Sequence, residues 1–113
     1  MAFLPTNIFA KIVAGEIPAN KVYETNHILA FRDIAPKAKT HIIIIPKETL
    51  VTAKEVHAAN LKLFGELFLA AKEIAAKEGL KGYKLHMNVD EAGGQVVPHV
   101  HLHLLSPDFK TSL

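Results

Sequence analysis

The sequence predicts an α+β fold, one antiparallel sheet of about five short strands with one short and one long helix. Two observations predict it. Strand-like stretches at 21–25, 28–33, 40–45, 83–89 and 99–105 surround a single long stretch of helical periodicity, from about 58 to 78. The last strand, His99-Val100-His101-Leu102-His103-Leu104-Leu105, alternates strictly. An extended chain therefore shows His99, His101 and His103 on one face and Val100, Leu102 and Leu104 on the other. The whole chain, 1–113, reads as one domain, since 113 residues suffice to bury a real core.

The elements follow in order. Thr6 or Asn7 caps a short helix whose apolar positions are Ile8, Phe9, Ile12 and Val13, with Gly15 as its stop. Ile17 precedes Pro18, which favours extended backbone, and serves either as core or as pocket lining. Two strands, Lys21 to Thr25 and Ile28 to Asp33, meet at a tight turn at Asn26-His27 that lacks the usual glycine. On the second of them Leu29, Phe31 and Asp33 share a face, which sets a carboxylate at the end of an apolar floor. Either Asp33 faces water or it accepts hydrogen bonds from a ribose diol while Phe31 lies against a base. Thr40 to Ile45 carries four consecutive isoleucines and so belongs at the centre of the sheet, with His41 on the side of Ile43 and Ile45.

Thr52-Ala53-Lys54-Glu55 has the form of a capping box. The long helix, about Ala58 to Glu78, places Leu61, Phe64, Leu67, Phe68, Ala71, Ile74 and Ala75 on its core face, and Gly79 ends it. Leu63, Leu69 and Ala70 widen its apolar surface and suggest a homodimer contact. In the strand Tyr83 to Val89, residues 83, 85, 87 and 89 read as the interior side, and Lys84, His86 and Asn88 as the polar side. His86 is expected at the surface or in an interface. Asn88 is either a turn asparagine or a ligand for a sugar or phosphate oxygen.

Composition narrows the function. The net charge of +2 is spread along the chain without a basic run, against a nucleic-acid tract. Arg32 is the only arginine, so phosphate recognition falls to backbone amides and histidines. There is no cysteine, which removes disulfides, thiolate metal sites and cysteine nucleophiles. The longest aliphatic run, Ile42 to Ile45, is too short to span a bilayer and no leader is evident, so a cytoplasmic protein without membrane contact is expected.

Three alternate histidines must be used by something, because each ring brings nitrogens that need partners. At about 3.3 Å rise per residue the α-carbons of His99 and His103 lie roughly 13 Å apart, too far for all three to converge on one metal ion from a straight strand. Two of them with a distant ligand remain an open alternative. The row suits nucleophilic catalysis better, with a central imidazole flanked by two helpers. Gly93-Gly94-Gln95 just upstream permits a tight turn that presents N–H groups to a phosphate.

The segment 94–105, with His-φ-His-φ-His-φ-φ (φ apolar) fulfilled at every position, resembles the histidine-triad (HIT) superfamily, and within it the Hint branch of nucleoside phosphoramidase-like proteins. Ile8 to Ile12, Glu16 to Ala19, Ala30 to Ile34, Pro36, Thr40-His41, Ile45 to Lys47 and Asn88 fit the same resemblance, which thus spans nearly the whole chain. It implies the HIT topology and a homodimer with a joined sheet. It implies hydrolysis of purine nucleoside 5′-phosphoramidates or related nucleotidyl compounds through a covalent nucleotidyl-His101, with His99 and His103 stabilising the phosphoryl group and His41 supporting the triad. Nucleotide contacts are implied for Ile17, Phe31, Asp33, Ile34, Asn88, Gly94, Gln95, Val96, His101 and His103. No metal is required, and any zinc would not be catalytic. A neutral nucleophile implies falling activity below about pH 6.5 unless its surroundings shift it. Many Hint proteins carry serine where this chain has Val96, and the tail from Ser106 to Leu113 lacks their aromatic segment. A dinucleoside polyphosphate hydrolase, or a nucleotide- or zinc-binding regulatory module with little catalysis, stands as the alternative.

Overall fold

The structure, a computed structural model, describes residues 2–107. Helix α1 (Ile8–Val13) is capped by Asn7, whose side chain accepts from the Ala10 N–H, and the chain leaves it through Gly15 at φ +79°. Strands β1 (Lys21–Glu24) and β2 (Ile28–Arg32) form a hairpin, followed by β3 (Thr40–Pro46). Their turn manages without glycine because Thr25 Oγ1 accepts from the N–H groups of His27 and Ile28. The box at Thr52–Glu55 forms as expected, but on a 3₁₀ turn rather than on the long helix. A second 3₁₀ turn, Ala58–Asn60, leads into α2 (Leu61–Lys77). Strands β4 (Lys84–His86) and β5 (Leu102–Ser106) complete the sheet.

All four strand pairings are antiparallel, in the order β1-β2-β3-β5-β4. The isoleucine-rich β3 is central, and Ile42 to Ile45 are all buried, as two-sided apolar strands require. On one side Ile28, Ala30, Ile42, Ile44, Leu102 and Leu104 pack under Leu67, Ala71 and Ile74 of α2. On the other, Leu29, Phe31, Ile43 and Ile45 meet Phe9 and Ile12 of α1 and Val97. The histidines belong to this second side. No helix among the described residues is long and apolar enough to cross a membrane.

Three expectations are corrected. Leu61 and Phe68 are exposed and Ala70 is buried, because the core line of α2 runs through Leu67, Ala70, Ala71, Ile74 and Ala75. The strand expected from Tyr83 to Val89 is only three residues long, and its apolar side is the more exposed one. The helix packs mainly over β1, β2 and β3, so Tyr83, Leu85 and Val89 meet solvent, while Met87 packs against the core as expected. Finally, β5 begins at Leu102, so His99 and His101 precede the ladder even though the alternation of faces persists through them. Of the C-terminal tail, 108–113 lie outside the described residues.

Candidate active site

Strand register builds the site. Phe31 pairs with Ile43, Ile43 with His103 and His103 with His86, so these four side chains form one row on the α1 side of the sheet. One row further on, the Asp33 N–H donates to the His41 carbonyl at 3.0 Å, where β2 ends. The chain entering β5 carries His101 to the next position, its ring 4.9 Å from that of His103 and 5.0 Å from Phe9, both edge to face.

Backbone groups of known polarity fix where the imidazole protons sit. His101 Nδ1 lies 2.7 Å from the His99 carbonyl, which can only accept, so Nδ1 carries the proton and Nε2 keeps its lone pair. The Lys37 N–H donates to His41 Nδ1 at 3.0 Å, so the neutral ring bears its proton on Nε2. That Nε2–H points to His103 Nδ1 at 2.8 Å, with Asp33 Oδ2 at 3.5 Å. His103 is thereby left with its proton on Nε2. The relay Lys37–His41–His103 and the tie from His99 to His101 set one donor beside one nucleophilic lone pair.

All four rings are held neutral. Burial is the largest cause for His99, His101 and His41, each below the usual imidazole value. Burial also dominates at His103, and with His101, His41 and His86 nearby it is pushed down to about 3. The unfolded chain takes up protons on these rings near pH 6.5, while the folded one resists them. Unfolding therefore binds protons, and stability present above about pH 6.5 is lost as pH falls toward the folded values. Thermal melts at pH 7.5 and 4.5 should differ by roughly 10 °C, the acidic sample melting first. An equal or higher melting temperature at pH 4.5 would contradict this protonation scheme.

Two cavities share the walls Asp33 and His103. The larger, about 440 Å³, is mainly apolar and is lined by Phe9, Ile17, Phe31, Ile34, Ile43 and His101 among others. The second, about 390 Å³, is the more polar of the two, with Lys37, His41, His86 and Asn88 around it. The structure thus brings Ile17, Phe31, Asp33, Ile34, His101 and His103 together, with Asn88 and His41 next door. Arg32 also contributes to the wall of the larger cavity, but its guanidinium is taken up by Glu78 at 2.9 Å.

His99 does not fit the role expected of it. It is fully buried and lines neither cavity. Its Nε2–H donates to the Pro46 carbonyl at 2.8 Å and its Nδ1 accepts from the Asn7 amide at 3.0 Å, so no ring nitrogen is available to a phosphoryl oxygen. Gln95 is corrected in the same way. Its side chain is 1% exposed, donates to the carbonyls of Val51 and Val97, and accepts from the Asp90 N–H. The N–H groups of Gly94 and Gln95 close the turn on Glu91 and Asp90. Among the N–H groups of Gly94, Gln95 and Val96, only that of Val96 has no hydrogen-bond partner among the described residues.

His86, expected at the surface or in an interface, is instead on the site face beside His103, with ring centroids 5.8 Å apart. The sequence held the signal, since His86 shares parity with Asn88. Asn7 and Lys37 were not singled out for the site, because contacts through a cap side chain and a loop N–H leave no periodic trace.

A family model described as HIT domain matches residues 14–110. The chain is 45% identical over 100 residues to the purine nucleoside phosphoramidase of Escherichia coli strain K12, covering 87% of this chain and 84% of that one. It is 50% identical over 99 residues to an uncharacterized HIT-like protein of Synechococcus elongatus, covering 87% of both. A HIT family hydrolase from Legionella pneumophila has a similar crystal structure, with TM-score 0.88 and 46% identity over 94% of this chain and 96% of that one.

Proposed function

This chain belongs to the HIT domain family, and from that premise we propose that it hydrolyses purine nucleoside 5′-phosphoramidates or closely related nucleotidyl compounds to the nucleoside monophosphate. One observation carries the reading: His101 turns an unprotonated Nε2 toward an apolar cavity whose rim holds a carboxylate. The base lies among Ile17, Phe31 and Ile34, and Asp33 accepts hydrogen bonds from the ribose hydroxyls. Asp33 Oδ1 already holds the Ala35 N–H at 2.7 Å, which fixes the carboxylate in place.

His101 Nε2 attacks the phosphorus, and the bond to the leaving nitrogen breaks with its electron pair on that nitrogen, which takes up a proton from water. His103 Nε2–H, the Val96 N–H and the Asn88 amide donate to the phosphoryl oxygens as charge gathers there. Water then attacks the nucleotidyl-histidine, gives up a proton and frees the monophosphate, while Nδ1–H stays on the His99 carbonyl. Because burial holds His101 below the usual imidazole value, the rate persists through pH 6.5 and falls only at lower pH.

Turnover of adenosine 5′-phosphoramidate in metal-free buffer, compared with diadenosine polyphosphates, tests the substrate class. Faster cleavage of the polyphosphates would favour the dinucleoside polyphosphate hydrolase. A zinc-binding reading has one observation behind it: Asp33, His41 and His103 each bring a ligand atom within 4.8 Å of the others. The Lys37 N–H opposes it by placing a proton on His41 Nε2, the atom turned to that trio. Stoichiometric zinc in protein purified without added metal would reverse this preference.

Val96 cannot give a leaving group the hydroxyl hydrogen bond that serine could. Val96→Ser should raise kcat for poor amine leaving groups about threefold to tenfold with little change in KM, and an unchanged kcat would remove position 96 from the chemistry. The protein pairs with a second copy through the open apolar side of the sheet and α2, where Phe68, Leu69, Tyr83, Leu85 and Val89 are exposed. A light-scattering mass of one protomer at micromolar concentration would refute that pairing.

A further inference from the structure

Of the four histidines that line the two cavities, His86 is the one to which the proposed chemistry gives no part. It ends β4 directly opposite His103, so its ring lies on the site side of the sheet, and it lines the polar cavity with Asp33, His41 and Asn88. Its Nε2 is 2.8 Å from Asn88 Oδ1. The other end of that amide, Nδ2, faces the Gly94 carbonyl, which can only accept, and this fixes which end is nitrogen. The Gly94 contact is 3.4 Å, long for a hydrogen bond, so the tie to His86 is the firm one. Asn88 stands beyond the last paired residue of β4, where no ladder holds its backbone.

We propose that His86 is a positioning residue: by donating from Nε2 to Asn88 Oδ1 it keeps the amide turned so that its N–H donors, not its oxygen, serve the anionic phosphoryl group. This inference rests on the nucleotide reading of the site. An Asn side chain freed to rotate by half a turn presents an acceptor to an anion as easily as a donor, and the first arrangement repels. The lock is needed here because Val96 contributes only its backbone N–H. Asn88 then joins His103 as a neutral side chain offering donors to the phosphate from this cavity, and of the two only the amide can turn an acceptor into their place.

The test compares affinities for AMP and for adenosine, which lacks the phosphate. His86→Val removes the donor while suiting a strand, and should weaken AMP binding about fivefold and leave adenosine binding unchanged. His86→Gln, which restores a donor and guards against a folding defect, should return AMP affinity to within about twofold of the parent. In the Asn88→Ala background His86→Val should have no further effect, because both act through one amide. AMP affinity unchanged by His86→Val, or losses from the two substitutions that add, would overturn the proposal. If these differences appear while the parent fails to cleave adenosine 5′-phosphoramidate, the hydrolase reading falls and the positioning role stands.

Discussion

His101→Ala should lower turnover of adenosine 5′-phosphoramidate by about three orders of magnitude or more while AMP still binds. The size of the effect follows from what is removed. No other ring on the site face offers an unprotonated nitrogen to the larger cavity. His103 Nδ1 accepts from His41, and its other nitrogen carries the proton. His99 has both nitrogens engaged. The larger cavity, by contrast, is also walled by Ile17, Phe31, Ile34 and Asp33, which remain in the substituted protein, while Phe9 loses the ring it packs against. Kinetics and calorimetry on the same preparation separate the two. Loss of binding in parallel with turnover would show that His101 supports the pocket and not the chemistry.

His99→Ala should act on stability first. The substitution empties a fully buried site, and the Pro46 carbonyl loses its bond to the ring. One N–H of the Asn7 amide is left unpaired, while its other N–H still donates to the Pro98 carbonyl at 3.3 Å. A cavity of that size with two lost hydrogen bonds costs about 2–4 kcal/mol, which for a chain of this length lowers the melting temperature by roughly 10 °C or more. Asn7 matters twice, since its Oδ1 caps α1, the helix that carries Phe9 against His101. Yet the carbonyl that accepts from His101 Nδ1 belongs to the backbone of residue 99 and survives the substitution. Assayed well below its melting point, the variant should keep kcat within about tenfold of the parent. A loss of a hundredfold or more in fully folded protein would instead make the imidazole itself a participant.

The contrast between these histidines shows how much of the site the sequence displays. Alternation along 99–105 separates the imidazole face from the core face, and the four isoleucines of β3 announce a central strand, because both patterns are properties of extended chain. Asp33 at the end of the Leu29–Phe31 face is legible for the same reason. Alternation says nothing, however, about depth. His99 and His103 occupy equivalent positions in the pattern, yet Asn7 from α1 and Pro46 from β3 close over one, while the other borders both cavities. Gln95 was misread for a related reason, since an amide beside two glycines looks like an anion donor until Val51, 44 residues earlier, takes its N–H. The apolar side of β4 was assigned to the interior because periodicity marks a face without saying whether a helix reaches it. His86 followed it to the surface, although its register with His103 makes it part of the site.

The most direct test of the central claim is intact mass spectrometry of the protein quenched during metal-free reaction with adenosine 5′-phosphoramidate. An adenylyl adduct that forms on the parent, decays to the monophosphate and is absent from His101→Ala is the result this mechanism predicts. Cleavage to the monophosphate without any adduct at early times, or an adduct that persists in His101→Ala, would contradict it.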